Sequence, residues 1–87
     1  MTLTDADVTG LLDEIVAANG PIRYGSLNGA PNALYTPNGV LTADDWSRCA
    51  KLWLARAGKA DGDADALVAL AQSRVYGTPD GAWKPRA

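Results

Sequence analysis

Leu41-Thr42-Ala43-Asp44-Asp45-Trp46 is the stretch whose reading decides the fold, because it opens a helix that carries two of the three tryptophans. Thr42 stands at the N-cap with Asp45 three residues on, a carboxylate form of the capping box in which side-chain oxygens accept from amides the first turn leaves open. Leu41 and Trp46 are spaced as a hydrophobic staple, and Gly58 after Ala57 supplies a left-handed stop. These signals predict a helix over 43–57. At about 100° per residue, Trp46, Cys49, Ala50, Trp53, Leu54 and Ala57 share one arc, so that arc faces the core, with Trp46 and Trp53 at its centre. Leu52 lies off the arc beside Asp45 and Arg56. Cover by a neighbouring segment is the favoured reading for it, and membership of an interface is the alternative.

Working outward, Leu3-Thr4-Asp5-Ala6-Asp7-Val8 repeats the same entry signal, and Val8, Leu11, Leu12, Ile15 and Val16 follow at helical spacing. Asn19-Gly20-Pro21 ends that helix, which is predicted over 5–19. A third helix is expected over 63–74, with Ala64, Leu67, Leu70, Ala71 and Val75 on its stripe. Leu11, Leu12, Ile15, Leu67 and Leu70 are the expected packing partners of the two tryptophans. Between the first two helices, Gly, Pro and Asn dominate. Ile22-Arg23-Tyr24 and Ala33-Leu34-Tyr35 are compatible with short strands, residues 35–41 with a small hairpin, and Ser26-Leu27-Asn28-Gly29 and Ala30-Pro31-Asn32 with turns. Pro79-Asp80-Gly81 is read as the turn of a C-terminal hairpin over 75–85. It echoes Thr36-Pro37-Asn38-Gly39, which suggests reused local chemistry rather than a proven repeat. The fold class is therefore mainly α (α+β): three helices with short strands or hairpins in the 20–41 and 75–85 segments.

Eighty-seven residues suffice for one domain with one modest core, so a single domain over 1–87 is expected. The net charge of −2 neither drives nor forbids nucleic-acid binding. Asp5, Asp7, Asp13 and Glu14 make the first twenty-two residues purely acidic, a bias that more often solvates a surface than defines a site. The one cysteine, Cys49, forms no internal disulfide, and no apolar run is long enough to span a bilayer. A cytoplasmic protein without a membrane segment is expected.

Catalytic constellations are not visible. The chain has no histidine, the commonest general base and metal ligand. Cys49 sits on the core arc, where burial disarms a thiol. Asp61, Asp63 and Asp65 alternate as in a calcium loop, but Ala66 and Gln72 stand where the EF-hand needs Gly and Glu. Capping and helix-dipole complementarity account for them better. Neither a metal nor a cofactor is expected.

The element order resembles a winged helix-turn-helix, which would make 63–74 a recognition helix and 75–84 a wing. That helix would offer Asp61, Asp63 and Asp65 to a polyanion, with only Arg74, Lys84 and Arg86 in support, so specific nucleic-acid binding is not expected. Small size, the scarcity of Lys (3) and Ile (2), and the absence of Phe resemble accessory proteins of actinobacterial phages, which implies a protein that binds a host factor. The first expectation is a non-enzymatic protein-interaction module, the second a small DNA-binding regulator, and the third an oligomeric structural component. A protein partner is expected, with a homodimer left open. The expected patch comprises Leu52, Arg56, Tyr76, Trp83, Lys84 and Arg86, chosen because Trp, Tyr and Arg dominate interface energies. The alternative for Trp83 is that it folds back over the helices.

Overall fold

The computed structural model describes residues 3–25 and 33–84. Thr4 opens α1 (Asp5–Asn19): its hydroxyl accepts from the Asp7 N–H at 3.3 Å and its own N–H donates to Asp7 Oδ2 at 2.8 Å. Thr42 opens α2 (Ala43–Arg56) in the same way, with Asp45 as its reciprocal partner at 3.1 and 3.0 Å. Thr42→Ala should therefore lower stability by about 0.5–2 kcal/mol. The measurement is the urea midpoint at unchanged slope, and an unmoved midpoint would mean that the cap is silent.

α2 ends one residue before the expected Ala57, which is the cap itself. The Gly58 N–H then donates to Ala55 O at 3.2 Å and the Lys59 N–H to Leu54 O at 2.8 Å, the paired bonds of a Schellman end. Gly58 makes that possible at φ +71°, a conformation that penalises any side chain.

α3 (Ala64–Tyr76) follows a 3-10 turn at Asp61–Asp63. Asp63 makes no side-chain cap bond, so of the two roles expected for these aspartates only dipole complementarity remains. Leu70 is also corrected: it is 46% exposed, whereas Ala64, Leu67, Ala71 and Val75 are buried. The reason is angular. Each three-residue step falls about 60° short of a full turn, so 64→67→70 drifts off the stripe that 64, 67, 71 and 75 keep.

The strands β1 (Ile22–Gly25), β2 (Ala33–Thr36), β3 (Gly39–Val40) and β4 (Ala82–Trp83) form one antiparallel sheet in the order β3-β2-β1-β4. Thr36 shapes the β2–β3 turn, accepting from the Asn38 N–H at 3.1 Å and donating to Gly39 O at 3.2 Å. Thr78 plays the matching role after α3, donating to Val75 O at 2.7 Å and accepting from the Ala82 N–H at 2.8 Å.

The second turn, however, does not make a hairpin. Val75 and Tyr76 stay in α3, because the helix keeps Val75 fully buried, and β4 crosses to pair with β1 (Ile22↔Trp83, Arg23↔Ala82). The turns expected over 26–32, and the last residue of the expected 75–85 hairpin, lie outside the described residues.

The three helices pack on one another, and α3 lies against β1 and β4. Leu11, Leu12, Ile15, Ile22, Leu34, Trp46, Leu54 and Leu67 fill the space between helices and sheet. The result is a mainly-α α+β architecture, with helices on one face of the sheet. Trp53 departs from the expected centre of the core: it is half-buried and packs at the margin. Among the described residues, no helix is long and apolar enough to cross a membrane.

Candidate functional site

The acidic first helix does more than solvate a surface. Each of its carboxylates meets a donor from another element: Asp5 meets Arg74 of α3, Asp7 meets Trp53 of α2 and Lys59, Asp13 meets Trp83 of β4, and Glu14 meets Arg56 of α2. Asp7 is the hub. It is 4% exposed and accepts from the Trp53 Nε1–H at 3.2 Å, from the Lys59 ammonium and from Thr4. The Lys59 ammonium, seconded by the Thr4 backbone N–H, holds its carboxyl well below the usual carboxylate range. The Schellman end of α2 is what aims Lys59 at it. The exposed pairs Arg56–Glu14 and Arg74–Asp5 contribute little by comparison, ~0–1 kcal/mol each.

This network claims much of the patch expected from the sequence. Trp83 is half-buried and packs against the core, and its Nε1–H donates to Asp13 Oδ1 at 2.9 Å, so it folds back over the helices. Arg56 is held by Glu14, and Lys84 pairs with Asp80 at 3.1 Å. Tyr76 is 49% exposed and meets Tyr24 edge-to-face, with ring centroids 5.1 Å apart. Leu52 is 54% exposed, with no cover, on an α2 surface shared with Asp44, Ser47, Arg48 and Lys51. Arg86 lies outside the described residues. Arg56, Tyr76, Trp83 and Lys84 thus each meet a different partner, and Leu52 stands apart from them on α2.

A different surface is left open. In β1, Ile22 is buried and Arg23 exposed. In β2, Leu34 is buried and Tyr35 points the other way. Register then aligns Val40, Tyr35, Arg23 and Ala82 in one row across all four strands, on the face away from the helices. On such a face alternation normally places polar residues. Here the row is aliphatic and aromatic around one arginine, and Val40 is 46% exposed.

Pro21 and Pro37 wall one side of a shallow concavity of about 700 Å³ that Arg23 and Tyr35 also line. The Pro37 ring is seated on Gly20, where an added Cβ would lie 2.9 Å from its Cγ, and the Asn38 amide donates to Asn19 Oδ1 at 3.1 Å. The end of α1 therefore fixes the wall. Comparison with protein-family models, with curated proteins and with solved structures returns no match.

The chemistry thus rests on the site's own residues. Arg23 carries a fixed charge and a planar fork of donors, and among the described residues no carboxylate stands within ion-pair distance of it. Tyr35, its direct cross-strand neighbour, offers an aromatic surface. Apart from the Tyr35 hydroxyl the row carries no nucleophilic side chain, and Cys49 lies elsewhere, on α2, its thiol pushed up by burial. No cluster of three or more His, Cys, Asp or Glu fit for a metal occurs among the described residues. Sequence reasoning missed Arg23 and Tyr35. The signal was there in the alternation of Ile22-Arg23-Tyr24 against Ala33-Leu34-Tyr35, but the row emerges only once the pairing register is known.

Proposed function

We propose that the chain is a non-enzymatic protein-interaction module whose docking face is the outer face of the sheet, centred on Arg23 and Tyr35. The observation that carries this reading is the apolar row, exposed at Val40 and half-exposed at Tyr35 and Ala82, around an arginine that no carboxylate among the described residues pairs with, in a molecule whose α1 carboxylates all have donors. Apolar surface rimmed by polar groups marks interaction sites, and Tyr and Arg are the residue types that anchor them. The partner is to be sought among proteins of a high-GC actinobacterial host, the origin that the composition supports.

Tyr35→Ala and Arg23→Ala leave the buried face of the sheet untouched, so both variants should stay folded. Either should lose at least tenfold in affinity for whatever wild-type protein retains from such a lysate, while Leu52→Ala should keep it. Retention by both sheet variants together with loss in Leu52→Ala would move the site to α2.

A further inference from the structure

From the same face we infer the chemical class of the partner: a short acidic peptide segment, with an Asp or Glu carboxylate on Arg23 and an apolar side chain two residues away over Tyr35 and Val40. This rests on the outer sheet face being the docking surface. Size comes first. Four strands at ~4.8 Å spacing, the central two about four residues long, bound a projected face of roughly 250 Å². A standard interface needs ~800 Å² from each partner. The four-stranded face by itself is therefore smaller than the footprint of a folded partner or of a second copy of this chain, whereas a few residues of extended chain match it.

Charge comes second. Covering Arg23 strips water from a guanidinium, which is costly unless the occupant returns a charged acceptor, and a carboxylate matches the fork in a bidentate pair. Among the described residues no carboxylate pairs with Arg23. The α1 acids are engaged on the helical side, and residues 26–32, which join β1 to β2, contain none.

Spacing comes third. Tyr35 lies ~5 Å and Val40 ~10 Å from Arg23 across the strands. Alternate side chains of an extended peptide are ~6.7 Å apart, so an acid on Arg23 delivers the side chain two residues on between Tyr35 and Val40. The Arg23 charge and the Tyr35 ring thus read acid-x-apolar.

The test selects random heptapeptides on the full-length protein and measures a selected peptide by fluorescence anisotropy, with circular dichroism confirming that every variant is folded. Enrichment of acid-x-apolar peptides is expected, with binding weakened at least tenfold by Arg23→Gln or Tyr35→Ala and unchanged by Leu52→Ala. Arg23→Glu should recover binding to a twin peptide whose acid is replaced by Lys. Selected peptides that depend on Tyr35 but carry no acid would overturn the charge assignment and leave the docking face standing. The absence of any Tyr35-dependent peptide would overturn both. Displacement of a selected peptide by a twelve-residue oligothymidylate at about 150 mM salt would assign the face to single-stranded nucleic acid and overturn the peptide class.

Discussion

Asp7→Ala should destabilise the protein by about 2–4 kcal/mol at neutral pH, a large share of what a small domain has. The substitution removes half of the α1 capping box and leaves the Trp53 Nε1–H and the half-buried Lys59 ammonium without the acceptor they share. Charged hydrogen bonds contribute about 1.5–3 kcal/mol each when lost singly, and stranding a buried partner adds to that. Lys59 keeps some access to water, which holds the total below the figure for a fully buried pair.

The effect depends on pH. In the unfolded chain an Asp titrates near ~3.9, and in the folded protein Asp7 titrates lower. The unfolded state therefore takes the proton first. The stabilisation is fully present above about pH 5 and drains away as the pH falls through 4 toward the folded value. Urea unfolding at pH 7 and pH 3 checks both statements: the gap between wild type and variant should narrow by about 1 kcal/mol at the lower pH. An equal gap at both would show that the carboxylate charge is not what holds Trp53 and Lys59.

Gly10→Ala should also destabilise, by about 1–2 kcal/mol, although the same change in an open helix interior would gain about 0.5–1 kcal/mol. Position 10 is under the Trp53 ring: an added Cβ would lie 2.2 Å from Cη2 and 2.5 Å from Cζ2. The ring would have to slide outward and give up its bond to Asp7. Overpacking of this kind costs about 1–3 kcal/mol and outweighs the helix-propensity gain. A lower melting temperature with a changed tryptophan emission is the expected result. A more stable Gly10→Ala protein would show that the ring moves aside freely.

These two residues also mark where sequence reasoning stops. Helix starts were legible because a Thr cap and its Asp three residues on are neighbours in the chain, and so was the α1 stripe of Val8, Leu11, Leu12, Ile15 and Val16. The short strands were legible too, from alternation bounded by Gly, Pro and Asn. What needed coordinates was every pairing at long range. Asp7 meets Trp53 and Lys59 some fifty residues on; the local pattern marks it as the capping partner of Thr4 but carries no sign of those two. Gly10 reads as a flaw in a helix until the ring above it is seen. Trp83 reads equally as patch or as cover until β4 is seen to pair with β1, and Leu70 reads as buried because a further three-residue step from Leu67 drifts off the stripe. The candidate site itself was the least legible part. Arg23 and Tyr35 were placed in short strands, but no feature of either strand says which face the helices leave bare.

The two outermost strands, β3 and β4, are each only two residues long. A long, flat border with unsatisfied amides and carbonyls is what templates the addition of foreign strands and, in time, fibrils. Here both borders stop before such a template exists. Beyond β4 the next residue, Lys84, is an exposed cation tied to Asp80, the type of side chain that discourages lateral stacking. The sheet is thereby closed to growth in its own plane, and its apolar row can stay uncovered without the molecule polymerising through its backbone.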